Sequence, residues 1–482
     1  MILSYRITVT PVVEYCGKNK KTLEKTMNRI LWICNIMLPA IGRELNMPYS
    51  NREGWLSGIF ERVCQEEAPF TLGVCFPAGE GQVRELRLKE KEGAQPESAS
   101  ESISGKRKAD MAGAFSVNGV SCYAFAENLN TPEVYDEGME AAFREIFRDF
   151  KPDMIHIFGT EFPHALAAAR AFGRPERTLI GIQGLCGEIA GVYMAGLPEA
   201  VQRKVTFRDF VRRDSLRQQQ EKFVRRGENE AEAIRGCGNI TGRTRFDREG
   251  TAKLNPDAEY YSMNETLREE FYTGKWRMAE CEPHSIFLGQ GDYPLKGMHF
   301  VLEAMALLVP KYPDCRLYVA GSSVISHGTL KEKLKLPAYG KYLLSQIKRY
   351  GLERHVTMLG KLDAKGMKKQ YLKSSVFVCA SVLENSPNTV GEAQLLGVPV
   401  AASMAGGIPD MVTDGGDGLL FPAGDAGGLA KAIERIWSRE TGEDGLCLAE
   451  RISGNARLRA RRVHDGETNY RRLLAIYGEI LP

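Results

Sequence analysis

Glu384 and Glu392 stand eight positions apart in SVLENSPNTVGEAQLLGVPVAAS, residues 381–403, among mostly apolar or small neighbours. Carboxylates accept hydrogen bonds from hydroxyls in pairs, and each bond to a charged group contributes about 1.5–3 kcal/mol. The chemistry suits a sugar and a ribose. The pattern predicts a strand ending near Ser381, Glu384 in the following loop, Ser386 as N-cap and Pro387 at the first helical position. The helix then runs to Leu396, where Gly397 stops it. Glu392 falls on its second turn, about 8 Å along the axis. Between the carboxylates, free N–H groups and the positive dipole end make a place for an anion or polar oxygens. A simple preference of glutamate for helix starts accounts for Glu384 and poorly for Glu392. Taken alone, the stretch leaves both readings open.

A second constellation is GQGDYPLKGMHF, where a strand ends at Gly289 and Lys296-Gly297 opens a helix. A lysine beside a helix N-terminus is misplaced unless an anion sits there, and a diphosphate would explain it. Met298 stands where a P-loop needs a hydroxyl, so a Mg²⁺-holding P-loop is disfavoured. Gly406-Gly407, after the strand VPVAAS, lets backbone approach a ligand closely, a weak signal alone.

The elements that must position these groups form two alternating series of short apolar strands and helices, the second beginning near Ser285. With no hairpin signals, such series imply parallel sheets covered on both faces. The ligand of an open α/β sheet lies beyond the carboxyl ends of its strands, so two facing domains imply a cleft between them. The expected division is an extension over 1–26, a first domain over 27–275 with a mobile insertion at 84–110, a second domain over 276–462, and a closing helix over 463–482. YRITVTPVV as an edge strand is the alternative for the extension. Residues 84–110 are charged and Ser-rich, with too little apolar surface to order independently.

Composition narrows the class. The 482 residues are 43% hydrophobic and 26% charged, and a formal charge of +3 gives no argument for nucleic-acid binding. Eleven cysteines without CxxC pairs fit reduced thiols, and no apolar run is long enough to span a membrane. The histidines show no metal-ligating spacing, so no metal is expected. Residues 203–226 are basic, which reads either as a solvated helix face or as docking to an anionic membrane.

KG…VLEAMALL…RLYVAG, HVTMLGKL, YLKSSVFVCASVLENSPNTVGEAQLLGVPVAASMAGGIPDMV and DGLLF follow one another in this order. Together they resemble the donor-binding domain of family-4 glycosyltransferases, with the Glu-x7-Glu and Lys-Gly elements as the specific signals. PDMIHIFGTE carries a looser resemblance in the first domain. The implied fold is α/β, GT-B: two Rossmann-like domains facing a central cleft, with the C-terminal helix crossing back to the first domain.

The resemblance implies that Glu384 contacts donor-sugar hydroxyls, Glu392 the ribose, and the backbone of Ser386, Pro387, Asn388 and Thr389 the sugar and phosphate. Lys296 would neutralise the leaving diphosphate beside Gly297, with Gly360 and Lys361 near the base and Gly407 at the donor. Gln290 stands where the family often has an arginine, and Arg243 or Arg245 could reach in from the first domain. A structural salt bridge is the alternative for both. His156 and Glu161 are the first-domain catalytic candidates near the reaction centre, a buried structural role being the alternative for His156, with His164 and Gln183-Gly184 nearby. Gly42 is expected in the first loop. Phe158 stands where some relatives carry a second histidine.

The implied activity is retaining transfer of a sugar from a UDP- or GDP-linked donor to a saccharide or lipid-linked acceptor, in bacterial surface polysaccharide or glycolipid assembly. No cofactor or metal is implied. The expected setting is cytoplasmic, with peripheral association with an anionic membrane as an option and no nucleic-acid partner. A same-fold epimerase and a non-catalytic nucleotide-sugar-binding partner are the rival readings.

Overall fold

The computed structural model describes residues 27–47, 54–65, 68–83, 85–86, 111–117 and 119–481. The expected extension 1–26 lies outside the described residues, as does the expected insertion 84–110 apart from residues 85–86.

The apolar runs of the first series become β1 (Arg29–Ile33), β2 (Thr71–Ala78), β3 (Met111–Val117), β4 (Val120–Ala126), β5 (Met154–Phe158), β6 (Thr178–Gly181), β7 (Asn239–Gly242) and β8 (Glu259–Ser262). They form one sheet in the order β3-β4-β2-β1-β5-β6-β7-β8. β1 and β5 are buried along nearly their whole length, as strands covered on both faces must be. All pairings are parallel except β3 with β4. That antiparallel pair corrects the expectation of no hairpin. Val117 pairs with Val120, and Asn-Gly is a dipeptide that suits a short hairpin turn.

The second series forms β9 (Glu282–Leu288), β10 (Arg316–Ala320), β11 (Val356–Gly360), β12 (Ser374–Cys379), β13 (Val400–Ser403) and β14 (Leu419–Phe421). Their order is β11-β10-β9-β12-β13-β14, all parallel. This arrangement runs outward in both directions from β9 and β12, so the switch point lies between them. Phe287 pairs with Phe377 and Leu288 with Val378, which sets the loops after both strands side by side. The first sheet reverses in the same way between β1 and β5, where Trp32 pairs with His156.

The helix Leu448–Val463 packs on the second domain, and the chain then returns. The last helix, Gly466–Ile480, buries Tyr470, Leu473, Ile476, Tyr477 and Ile480 in the core of the first domain with Trp32, Leu38 and Phe70. The Tyr477 hydroxyl accepts from Trp32 Nε1–H at 2.8 Å and shares a hydrogen bond with His156 Nδ1 at 2.7 Å. The expected crossing helix is therefore present and wired into β1 and β5. Direct contacts also join the domains: Thr244 Oγ1 donates to Asn385 Oδ1 at 2.6 Å, and the N–H of Ala338 donates to Asp209 Oδ2 at 3.0 Å.

Tyr477→Phe leaves the Trp32 N–H and His156 Nδ1 unpaired in the core. A loss of about 2–4 kcal/mol is expected, measured as a lower midpoint in urea unfolding.

Candidate active site

Lys296 and Glu384 lie 88 residues apart in sequence and form an ion pair at the β9/β12 switch point. The path to Lys296 is a 3-10 turn, Pro294–Lys296, followed by Gly297 at φ +71° and the helix Met298–Leu308. A Cβ at Gly297 would collide with the carbonyl oxygen of Ala380, so glycine is required twice over. That close approach brings the lysine loop onto the end of β12. Val382 N–H donates to the Leu295 carbonyl at 2.9 Å, and Ser381 Oγ donates to Glu384 Oε1 at 2.7 Å. Burial works against the Lys296 charge, but the Glu384 carboxylate outweighs it and drives the ammonium pKa upward. Lys296 therefore stays cationic.

The helix after Glu384 differs slightly from expectation. It runs Asn388–Leu396, with extended Pro387 as N-cap and left-handed Gly397 closing it. Ser386 is not the cap, and its Oγ is buried without a partner. Pro387 has no side-chain acceptor to offer, which leaves this N-terminus without a side-chain cap. Gly407 belongs to the same corner, and its N–H donates to the Glu384 carbonyl at 2.9 Å.

Glu392 lies on that helix and is 3% exposed. Arg268, from the segment joining the domains, donates to Glu392 Oε1 through Nε at 3.1 Å and Nη2 at 2.5 Å. The Tyr371 hydroxyl donates to the Thr389 carbonyl at 2.9 Å and lies 3.4 Å from Glu392 Oε2. Burial raises the Glu392 carboxyl pKa, and Arg268 opposes the rise. The sequence reading missed Arg268, because a single arginine in a connecting segment carries no spacing signal.

The other expected donor residues are placed unevenly. Gln290 follows β9 and packs by Gly321, while Gly360 ends β11 and Lys361 is exposed beside it. Arg243 forms a buried ion pair with Glu265, and burial lowers its pKa to about 10. Exposed Arg245 pairs with Asp410 at 2.8 Å across the domain boundary. Both arginines are thus occupied by protein carboxylates, and Thr244 between them packs against the second domain at Asn385.

On the first-domain side, Glu161 follows β5 and Arg226 Nε donates to its carbonyl at 2.7 Å. Arg226 also lines a cleft of about 460 Å³ between the domains, with Tyr193, Lys222, Asp292 and Tyr293. His156 faces the C-terminal helix instead and is 1% exposed, with burial lowering its pKa to about 3. It is a neutral histidine, and its ring lines a small pocket with Gln183, Arg243 and Glu265. His164, expected nearer the cleft, is fully buried. Gly42 lies buried inside the helix Pro39–Glu44, which corrects its placement in a loop. Pro39 at the first helical position starts that helix three residues earlier.

Residues 282–439 match the family model described as glycosyl transferases group 1. This part of the chain belongs to that family. The phosphatidyl-myo-inositol mannosyltransferase of Mycobacterium leprae is 31% identical over 150 residues, 31% of this chain and 35% of the relative. The D-inositol 3-phosphate glycosyltransferase of Corynebacterium urealyticum is 31% identical over 156 residues, 32% of this chain and 35% of the relative. The matches therefore span about a third of these relatives' length.

The likeness in fold extends further. Sucrose-phosphate synthase from Thermosynechococcus elongatus superposes with a TM-score of 0.60 at 15% identity, covering 94% of this chain and 99% of that one. HepE from Anabaena, solved in complex with UDP-glucose, gives 0.59 at 16% identity over 94% and 99%. The chain has the GT-B fold, with both Rossmann-like domains present.

Arg268→Ala leaves the Glu392 carboxylate buried without its cation, at a cost on the order of 3 kcal/mol near neutral pH. A carboxyl whose folded pKa is raised binds its proton more tightly folded than unfolded, so acid favours the fold. The deficit of the variant should shrink as pH falls from neutral toward the Glu392 pKa. Urea unfolding across that range checks it.

Proposed function

We propose that the chain is a retaining glycosyltransferase using a UDP- or GDP-linked sugar. The observation that carries this reading is the Lys296–Glu384 pair at the β9/β12 switch point, beside a helix N-terminus with no side-chain cap and above buried Glu392. As the bond from the anomeric carbon to the diphosphate breaks and that to the acceptor oxygen forms, negative charge grows on the diphosphate. An ammonium has three donors, so Lys296 can hold Glu384 and a phosphate oxygen together. Glu384 then orients sugar hydroxyls. Glu392 takes the ribose, with Arg268 keeping its carboxylate charged. The backbone of Ser386, Pro387, Asn388 and Thr389 meets sugar and phosphate at the helix start. Gln290, Gly297 and Gly407 border that site, and Gly360 and Lys361 lie toward the base. Glu161 faces the acceptor. The reading needs no divalent metal.

The acceptor in this reading is a saccharide or a lipid-linked saccharide of a bacterial surface polysaccharide or glycolipid. One surface favours the lipid-linked form. Val205, Phe207, Phe210 and Val211 are 56%, 64%, 75% and 62% exposed within seven residues. Lys204, Arg212, Arg213 and Arg217 surround them, exposed and without ion pairs among the described residues. Exposed aromatics ringed by cations suit an anionic bilayer, where each cation contributes about 1 kcal/mol. The inner face of the same segment, through Arg208, Asp209 and Asp214, lines the interdomain cleft. Among the described residues no helix is long and apolar enough to cross a membrane.

Lys296→Ala should slow transfer about 10²–10³-fold while thermal unfolding shows an intact fold. Excess EDTA should leave the wild-type rate unchanged. A thermal-shift panel of UDP- and GDP-sugars identifies the donor, since a bound ligand raises apparent stability; wild-type turnover in the lysine variant removes Lys296 from the mechanism. In flotation with phosphatidylglycerol vesicles, the wild type should rise and Phe207→Ser/Phe210→Ser should stay at the bottom. Equal behaviour of the two proteins, or equal flotation with neutral phosphatidylcholine, sinks the membrane reading.

A further inference from the structure

The switch point of the first sheet also places two loops side by side, those that follow β1 and β5. Asn35 is on the first loop and Glu161 on the second, and Asn35 Nδ2 lies 3.2 Å from Glu161 Oε2. Behind Asn35 lies a buried, hydrogen-bonded His–Glu pair. His164 Nε2 is 3.0 Å from Asn35 Oδ1, and its Nδ1 is 2.9 Å from Glu127 Oε2. The His164 and Glu127 side chains are 0% and 3% exposed. A buried polar pair contributes little to stability alone, because desolvation offsets most of its hydrogen bonding. Here it stands directly behind a residue that touches a site carboxylate.

Backbone geometry supports the arrangement independently. Gly159 adopts φ +93°, and a Cβ there would overlap both Glu161 Oε2 and Asn35 Nδ2. The Asn35–Glu161 bond passes over a position that only glycine can occupy. The flanking groups pin the same loop. Thr160 Oγ1 donates to Glu230 Oε1 at 2.7 Å, and Arg226 holds the Glu161 carbonyl.

We propose that Asn35, held by the buried Glu127–His164 pair, is a positioning residue that fixes the Glu161 carboxylate over Gly159 at the ends of β1 and β5 and opposes its protonation. The hydrogen-bond logic runs in one direction. With Glu161 ionised, its carboxylate only accepts, so the Asn35 amide nitrogen faces Glu161 and its oxygen faces His164. In that arrangement His164 Nε2–H donates to the Asn35 oxygen. Burial pushes the Glu161 pKa up; its own backbone N–H, Arg226, Asn35 and His164 oppose the rise. Glu230, Cys186 and Arg243 are the other titratable groups coupled to it. That Glu161 serves an acceptor rests on the transferase reading, whereas its orientation by Asn35 does not.

The test uses the full chain without donor or acceptor. With ¹³C-carboxyl glutamate, and Glu161→Gln for assignment, the Glu161 midpoint is followed in wild type and Asn35→Ala. Loss of the donor should raise the midpoint by about one pH unit, a tenfold change in proton affinity. An unmoved midpoint in a folded variant overturns the proposal. Should Asn35→Ala fail to fold, the wild type decides through ¹⁵N spectra of the His164 ring. A protonated Nε2 is expected at neutral pH, and a bare Nε2 overturns the proposal because the amide would then be turned the other way. Neither readout involves transfer, so a negative result removes Asn35 and leaves the transferase reading to its own assays.

Discussion

A parallel sheet offers its strand ends to a ligand where the strand order reverses, and this chain has one such point in each domain. In the second domain it lies between β9 and β12; in the first, between β1 and β5. Loops on either side of a reversal diverge to opposite faces of the sheet, which opens a crevice bounded by both. Residues far apart in the chain become neighbours there. Lys296 meets Glu384 across 88 positions, and Asn35 meets Glu161 across 126. The rest of the architecture ties the two domains together. The C-terminal helix docks on β1 and β5 through Tyr477, while the helix before it stays on the second domain.

Charge is handled consistently around the cleft. Lys296 pairs with Glu384, Arg268 with Glu392, Arg243 with Glu265, and His164 with Glu127. Each pair joins different segments, and Arg268–Glu392 ties the connecting segment to the helix Asn388–Leu396. Desolvation makes such pairs inefficient as stabilisers. Their value lies in holding charged side chains at defined positions, where a polar ligand can complete the hydrogen bonding. Geometry of this kind is set before a ligand arrives.

Much of the second domain was legible because its signals are local. Short apolar runs alternating with helical stretches specify parallel strands, and Gly397 marks the end of the Asn388–Leu396 helix. Where local signals compete, the reading slipped. Ser386 is a good N-cap by type, yet extended Pro387 took that position and left the serine hydroxyl buried. Asn118-Gly119 is a strong hairpin dipeptide that the alternating pattern around it concealed. Gly42 resembled a loop glycine, but Pro39 had already begun a helix. In the first domain, strand periodicity placed His156 correctly on β5 without saying which face would be covered by the returning helix.

By itself, the sequence determined the kinds of residue available and the order of the elements: two carboxylates eight apart, a lysine before a glycine-started helix, and two series of parallel strands. These depend on contacts within a few residues, or on a periodicity that repeats along one element. Only the tertiary structure decided which groups pair. Arg268 with Glu392, Arg243 with Glu265, and the chain from Glu127 through His164 and Asn35 to Glu161 all join different elements. Such partners follow from sheet order and helix docking, which bring distant segments together through burial of surface that no short stretch of sequence records.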